Sequence, residues 1–182
     1  MKKTIMILSL LSVVTFAVAQ KKKTTTSATI SFDASTPKDA LPKAENKTAI
    51  ASLDTKTGAV AFEALVKSFS FSNPMMQDHF NGEKWMDSEK NPKAMFKGKI
   101  ADLAAVNFTK DGTYKVNVSG DLTLHGVTKP VTTSASITVK GKAISSVSEL
   151  AVKLADYGVN GPAIAAGKVA EEAKIMVSAS FK

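Results

Sequence analysis

The sequence predicts an all-β fold: an extended eight-stranded antiparallel β-barrel with a short helical cap segment near residues 74–81. Three observations carry that prediction. Apolar and polar residues alternate with period two through most of the chain, turn-forming residues separate the alternating runs at short intervals, and no helical pattern lasts beyond a few turns. Each strand then offers one apolar face. Such strands suit an antiparallel sandwich or a barrel, and the closed barrel is favoured because it removes the sheet edges that would otherwise pair with other chains and because strands of about ten residues suit it.

Residues 1–19 read as a secretory signal peptide. Lys2 and Lys3 supply a basic start, Ile5 to Val14 an apolar stretch, and Ala17-Val18-Ala19 a small-residue cleavage site before Gln20. The expected location is therefore periplasmic or secreted, with no stable membrane insertion. Residues 20–27, QKKKTTTS, are expected to form a flexible polar tail, and residues 28–182 a single domain. The chain has no cysteine, so packing and strand pairing alone must hold it together.

Along the chain, strands are expected at Thr29 to Asp33, Thr48 to Leu53, Ala59 to Phe71 and Ala94 to Ile100. In the long run, Val60, Phe62, Ala64 and Val66 share one parity while Phe69 and Phe71 take the other. That switch predicts a β-bulge or bend near Lys67-Ser68. The next stretch, NPMMQDHFNGEKW, breaks the pattern. Asn73 as N-cap and Pro74 in the first turn start a short helix that brings Met75, Met76, His79 and Phe80 to one face and ends near Asn81-Gly82. Beyond it, Tyr114, Val116, Val118, Leu122 and Leu124 alternate with polar residues, and Asp111-Gly112 suggests a hairpin turn across residues 110–113. Alternation resumes in Val131 to Val139, in Leu150, Val152 and Leu154, and in Ile175 to Phe181, around a second irregular region from Tyr157 to Glu172.

The net charge of +8 falls to about +6 once Lys2 and Lys3 leave, and every basic residue is lysine. Recognition of phosphate or guanine edges favours arginine, and these lysines are spread singly along strands, so nucleic acid is excluded as a partner. Catalysis finds little purchase. A thiolate is unavailable, His79 and His125 are the two histidines, and no G-x-S-x-G elbow or paired histidine spacing occurs. The reading is a protein without catalytic residues, metal or cofactor; a lipid-modifying enzyme would have to draw on Asp78, His79, Lys153, Asp156 or Tyr157. His79 is read as a packing residue of the cap and His125 as a turn-fixing hydrogen-bonder.

Volume and apolarity remain. Small residues at mid-strand (Ala64, Gly98, Gly120, Ala135, Ala179) leave room inside a barrel, while methionine and aromatic residues gather at one irregular region, which suits an adaptable apolar ligand. The expected lining is Phe62, Val66, Phe69, Met75, Met76, Phe80, Trp85, Phe96, Val118, Leu122 and Leu124, with Lys153 or Tyr157 as the polar contact for a head group. The alternative is a solidly packed structural or stress-related interaction module, in which the cap residues plug the barrel end.

The run GDLTLHGVTKPV, Gly120 to Val131, resembles the G-x-L-T-I-x-G-V-T-K-P-V signature of the YceI-like family, polyisoprenoid-binding-like exported proteins. MMQDHFNGEKWMDSEKNPKAMFKGKI resembles the family's helix with an acid–His pair and the strand after it, and Lys153 to Val159 matches its basic-x-x-Asp-aromatic-Gly-hydrophobic motif. Departures are Lys153 where the family often carries arginine, Lys90-Asn91 where tyrosine usually precedes Pro92, and a different opening strand. The resemblance implies a lipocalin-like barrel whose tunnel holds a lipidic small molecule, a polyisoprenoid or fatty-acyl amphiphile. Monomer and homodimer stay open.

Overall fold

The computed structural model describes residues 22–181, so the signal-peptide reading of residues 1–19 lies outside the described residues. The strands are β1 (Lys22–Asp33), β2 (Lys43–Asp54), β3 (Ala59–Leu65), β4 (Ser70–Phe71), β5 (Lys93–Ile100), β6 (Gly112–Leu124), β7 (Val127–Lys140), β8 (Ala143–Lys153) and β9 (Glu172–Phe181). Helix α1 (Pro74–Asn81) follows β4, and the one-turn α2 (Pro162–Ala165) precedes β9. Eight of the strands form a closed antiparallel ring in the order β1-β2-β3-β5-β6-β7-β8-β9, and β1 pairs back onto β9 from Thr29↔Ser178 to Asp33↔Lys174. The barrel reading holds. The ninth, β4, is a two-residue strand that continues along β2 at Ala44 and Glu45.

Period two decides what faces inward. Leu53, Ile100, Val116, Val118, Ile137, Val139, Ile144 and Phe181 are buried in one core cluster, while residues of the opposite parity form outward cross-strand pairs such as Thr113–Thr138, Ser119–Thr132 and Thr123–Thr128. A second, smaller cluster of Ala34, Leu154, Val159, Val169 and Ala173 lies at the capped end.

Three expectations need correction. The flexible tail proposed for residues 20–27 is strand from Lys22 onward, because Lys22 to Thr25 pair with Asp54 to Ala51; threonine-rich sequence suits a pleated surface as well as a loop. The hairpin across residues 110–113 is instead a longer connection: β5 ends at Ile100 and a 3-10 turn at Leu103–Ala105 intervenes before Gly112. The tight hairpin turn lies at His125-Gly126, both at positive φ, joining β6 to β7. Leu154 opens a 3-10 turn (Leu154–Tyr157) where strand was expected.

The parity switch at Lys67-Ser68 is a 3-10 turn, Val66–Ser68, so the expected bend is present with a different geometry from a bulge. Asn46 on β2 stitches it in place. Its Nδ2 donates to the Leu65 carbonyl at 3.1 Å and its Oδ1 accepts from the Thr48 N–H at 2.9 Å and the Thr48 hydroxyl at 3.1 Å. The side chain is fully buried, and each group it satisfies would cost about 1–3 kcal/mol if left unpaired. Asn46→Ala should lower the urea midpoint by a corresponding amount while leaving the β circular dichroism of the folded protein unchanged.

Asp33 ends β1 at the capped rim. Partial burial works to raise its pKa, but hydrogen bonds from the Ser35 hydroxyl and N–H and the Lys43 ammonium at 3.0 Å outweigh it and bring it down to about 2. A carboxylate with a depressed folded pKa stabilises above its unfolded value of 3.8 and loses that contribution as pH falls through the folded value. The full shift corresponds to about 2.5 kcal/mol, but the side chain keeps 39% of its exposure and screening leaves about 1 kcal/mol. Asp33→Asn should therefore flatten the fall in unfolding free energy between about pH 4 and pH 2 in acid titrations.

Candidate functional site

The barrel encloses an apolar chamber of about 130 Å³. Its walls come from the inward parity of nearly every strand: Ile30 of β1, Leu53 of β2, Val60 and Phe62 of β3, Ala94, Met95, Phe96 and Ile100 of β5, Val118, Leu122 and Leu124 of β6, Val131, Thr133, Ala135 and Ile137 of β7, Ser146, Ser148 and Leu150 of β8, and Ile175, Val177 and Phe181 of β9, with Phe69 at the bend. No lining side chain ionises. An apolar cavity of this order stays dry and takes up small apolar molecules.

The mid-strand glycines serve a different end from the one expected. Gly98 and Gly120 face one another across β5 and β6, and a Cβ on Gly98 would come within 2.6 Å of the Phe96 ring. The ring lies over the bare backbone of Gly98, which seats an aromatic wall, while a Cβ on Gly120 would strike the Lys97 carbonyl of the facing strand. Ala64 and Ala179 are buried in the packed core, and Ala135 alone of the five small residues borders the chamber.

A second chamber, about 120 Å³, lies under the cap between α1 and the segment from Leu154 to Val169. Phe32, Pro42, Phe71, Met76, Phe80, Trp85, Met86, Leu154, Val159, Ala163 and Val169 line it, with His79 at its border. The cap is fixed by polar contacts that the sequence half revealed. Asn73 Oδ1 accepts from the Met75 N–H at 2.9 Å, which starts α1 as expected. Gln77 Oε1 accepts from the Phe71 N–H, and the buried Ser88 donates through both its N–H and its hydroxyl to the Asn81 carbonyl, folding residues 82–88 back against the helix.

Four phenylalanines stand where the two chambers meet. Phe80 of α1 lies 5.0 Å from Phe71, 5.8 Å from Phe69 and 5.9 Å from Phe32, ring centre to ring centre and all tilted, and Phe32 meets Phe71 edge-on at 6.4 Å. Such tilted contacts are favourable beyond the area they bury. Phe69 belongs to the barrel chamber and the other three to the second one.

The expected lining thus divides. Phe62, Phe69, Phe96, Val118, Leu122 and Leu124 border the barrel chamber, and Met76, Phe80 and Trp85 the second. Four residues border neither. Val66 is buried in the 3-10 turn with its N–H on the Pro92 carbonyl, because the bend turns it away from the interior. Met75 is 65% exposed on the outer face of α1. Lys153 is exposed at the end of β8, and Tyr157 is buried among the loops with its carbonyl accepting from His125 Nδ1–H at 3.0 Å. Burial, and secondarily Asp156, push the Tyr157 phenol up. His125 ties the β6–β7 turn to that loop, the structural part read for it. Missed residues such as Ile30, Leu53, Ile137 and Phe181 carry the same period-two signal as those found; Phe32 and Phe71 could be assigned to the cap only from the topology.

Among the described residues no group of three or more His, Asp or Glu side chains gathers where a metal ion could be held. Asp156 faces Lys129 at 3.9 Å on the outside, away from both chambers.

Gly161 marks where the two halves of the cap touch. A Cβ there would lie 2.7 Å from Trp85 Cζ2, so the indole rests directly on the backbone. Gly161→Ala should displace the indole and cost about 1–3 kcal/mol by overpacking. Trp85 is the sole tryptophan, so a red-shifted emission with the barrel circular dichroism retained checks this directly.

The model of the YceI-like domain matches residues 11–181. A curated relative, a UPF0312 protein of Pseudomonas savastanoi pv. phaseolicola, is 35% identical over 101 residues, covering 50% of this chain and 48% of its own; the chain spans about half the length of the curated relatives it matches. Two solved structures share the fold. Burkholderia cenocepacia BcnA superposes with a TM-score of 0.70 at 23% identity, over 85% of this chain and 96% of that one. A domain from Saccharophagus degradans, described as polyisoprenoid binding and implicated in plant cell wall breakdown, gives 0.74 at 16% identity, over 90% and 98%.

Proposed function

The chain belongs to the YceI-like family, and we propose that it is an exported, non-enzymatic binding protein that holds the apolar chain of an isoprenoid or fatty-acyl amphiphile in its barrel. The observation that carries this reading is the chamber itself, enclosed by side chains of which none ionises. The polyisoprenoid-binding description of the Saccharophagus degradans domain agrees with it. Export rests on the signal-peptide pattern of residues 1–19.

Binding follows from burial alone. At about 25 cal/mol per Å², a chain that buries a few hundred Å² gains several kcal/mol, enough for micromolar affinity without a charged anchor. Chemistry lacks its parts: of the five candidate reactive residues only His79 borders a chamber, and it has no nucleophile or partner acid beside it there. Proton transfer needs a group within hydrogen-bond reach of the reacting atom.

Native mass spectrometry of the protein purified from its own cell envelope, followed by organic extraction, tests the reading. A stoichiometric lipid on a chain beginning at Gln20 is the expected result. A bare mass that does not shift on adding prenols or fatty acids would favour a packed structural module instead. Val118→Trp should fill the barrel chamber and abolish uptake while the β circular dichroism persists; unchanged uptake would sink the assignment of the lining.

A further inference from the structure

The barrel chamber is small for the class of ligand proposed. A cavity of about 130 Å³ is close to one that takes a single benzene-sized molecule, whereas an isoprenoid or fatty-acyl chain is several times longer. Among the described residues the second chamber is the apolar space that adjoins it, and its 120 Å³ nearly doubles the room. The ring of Phe80 stands between the two, packed on Phe69 on one side and on Phe71 and Phe32 on the other.

We propose that the chamber under the cap is a second chain-binding subsite in series with the barrel, and that Phe80 is the gate that decides whether a chain can cross into it. The inference rests on the carrier reading and deepens it. Three features support it. Phe80 is carried on an eight-residue helix with no fully buried side chain, so its ring can turn without dismantling a core. The subsite is lined by Met76, Met86 and Trp85, unbranched or flat side chains that adapt to irregular apolar shapes. The third is geometric: Phe32 borders the second chamber while Ile175, its partner across the β1–β9 seam, borders the first, so the chambers are neighbours along one wall.

A short chain fits the barrel with the gate shut, and a long one must turn Phe80 aside. Each further methylene buried in the second chamber is expected to tighten binding about fourfold, less what the gate takes to open. Phe80→Leu should therefore tighten binding of a long prenol, and Ala163→Phe, which puts a ring into the second chamber, should weaken it. Neither should alter binding of a short one.

The test is a pair of competition isotherms on the full mature protein, with geraniol as the short probe and geranylgeraniol as the long one, measured for wild type and both variants. The expected result is a long-to-short affinity ratio about fifteenfold higher in Phe80→Leu and about fifteenfold lower in Ala163→Phe, two methylenes' worth of burial in each direction. An unchanged ratio in both variants would overturn the subsite, and equal loss of both prenols in a folded Phe80→Leu would make Phe80 a wall and overturn the gate. Should Phe80→Leu fail to fold, Phe71→Leu opens the same partition from the side of the second chamber. If wild type binds neither prenol nor any fatty acid, the carrier reading itself fails.

Discussion

The closure of β1 onto β9 is the constraint on which the rest depends. Five residue pairs, Thr29↔Ser178 to Asp33↔Lys174, make the seam. Without them β1 and β9 would each present an open edge, and the inward parity of all eight strands would face water. With them the interior is fixed in diameter, since strand number and stagger set the width of a barrel. Side chains of the size found here cannot fill that width everywhere. At the end away from the cap, Val116, Val139 and Ile144 are buried in the core cluster and border neither chamber. Nearer the cap the inward side chains leave space between them, and that space is the first chamber.

An empty chamber is a standing disadvantage. Lost packing costs roughly 24 cal/mol per Å³ of cavity, so about 130 Å³ forgoes about 3 kcal/mol of stability, a large share of the margin of an ordinary domain. A single enlargement, such as leucine for Ala135, would recover part of it. A barrel built only for rigidity has no reason to keep small residues at such places, whereas a barrel that takes up an apolar chain regains the missing contacts on binding. This weighs the carrier against the packed module more heavily than any single lining residue does.

The sequence disclosed what depends on local pattern and hid what depends on topology. The strands, α1 with its Asn73 cap, and the bend at Lys67-Ser68 were legible because period two, Pro74 and the parity of Phe69 are local signals. Lys22 to Thr25 were misread because a lysine and threonine run looks the same whether it pairs with a strand or not; the pairing with Asp54 to Ala51 is a long-range fact. Asn46 gave no sign either, since a buried asparagine in an alternating run looks like any polar position. Met75 and Met76 are adjacent in sequence, and only the way α1 lies on β4 decides that one borders the cap chamber and the other meets solvent.

Selectivity in such a site has to come from shape. A lining without ionisable groups offers every hydrocarbon chain the same gain per methylene, and no charged anchor fixes where a chain stops. What can distinguish chains is how far the apolar path continues and what stands in it. The path is set by the cap, and the cap is held rigidly at its two ends, by Asn73, Gln77 and Ser88 around α1 and by the indole of Trp85 on the bare backbone of Gly161. Between those fixed ends, what stands in the path is the ring of Phe80, held by three aromatic contacts. Each is worth about 0.5–1.5 kcal/mol beyond its burial, so displacing the ring weighs against only a few buried methylenes of ligand. On the proposed reading, a partition of that strength stays shut for a short chain and yields to a long one, and chain length is the property that such a gate reads.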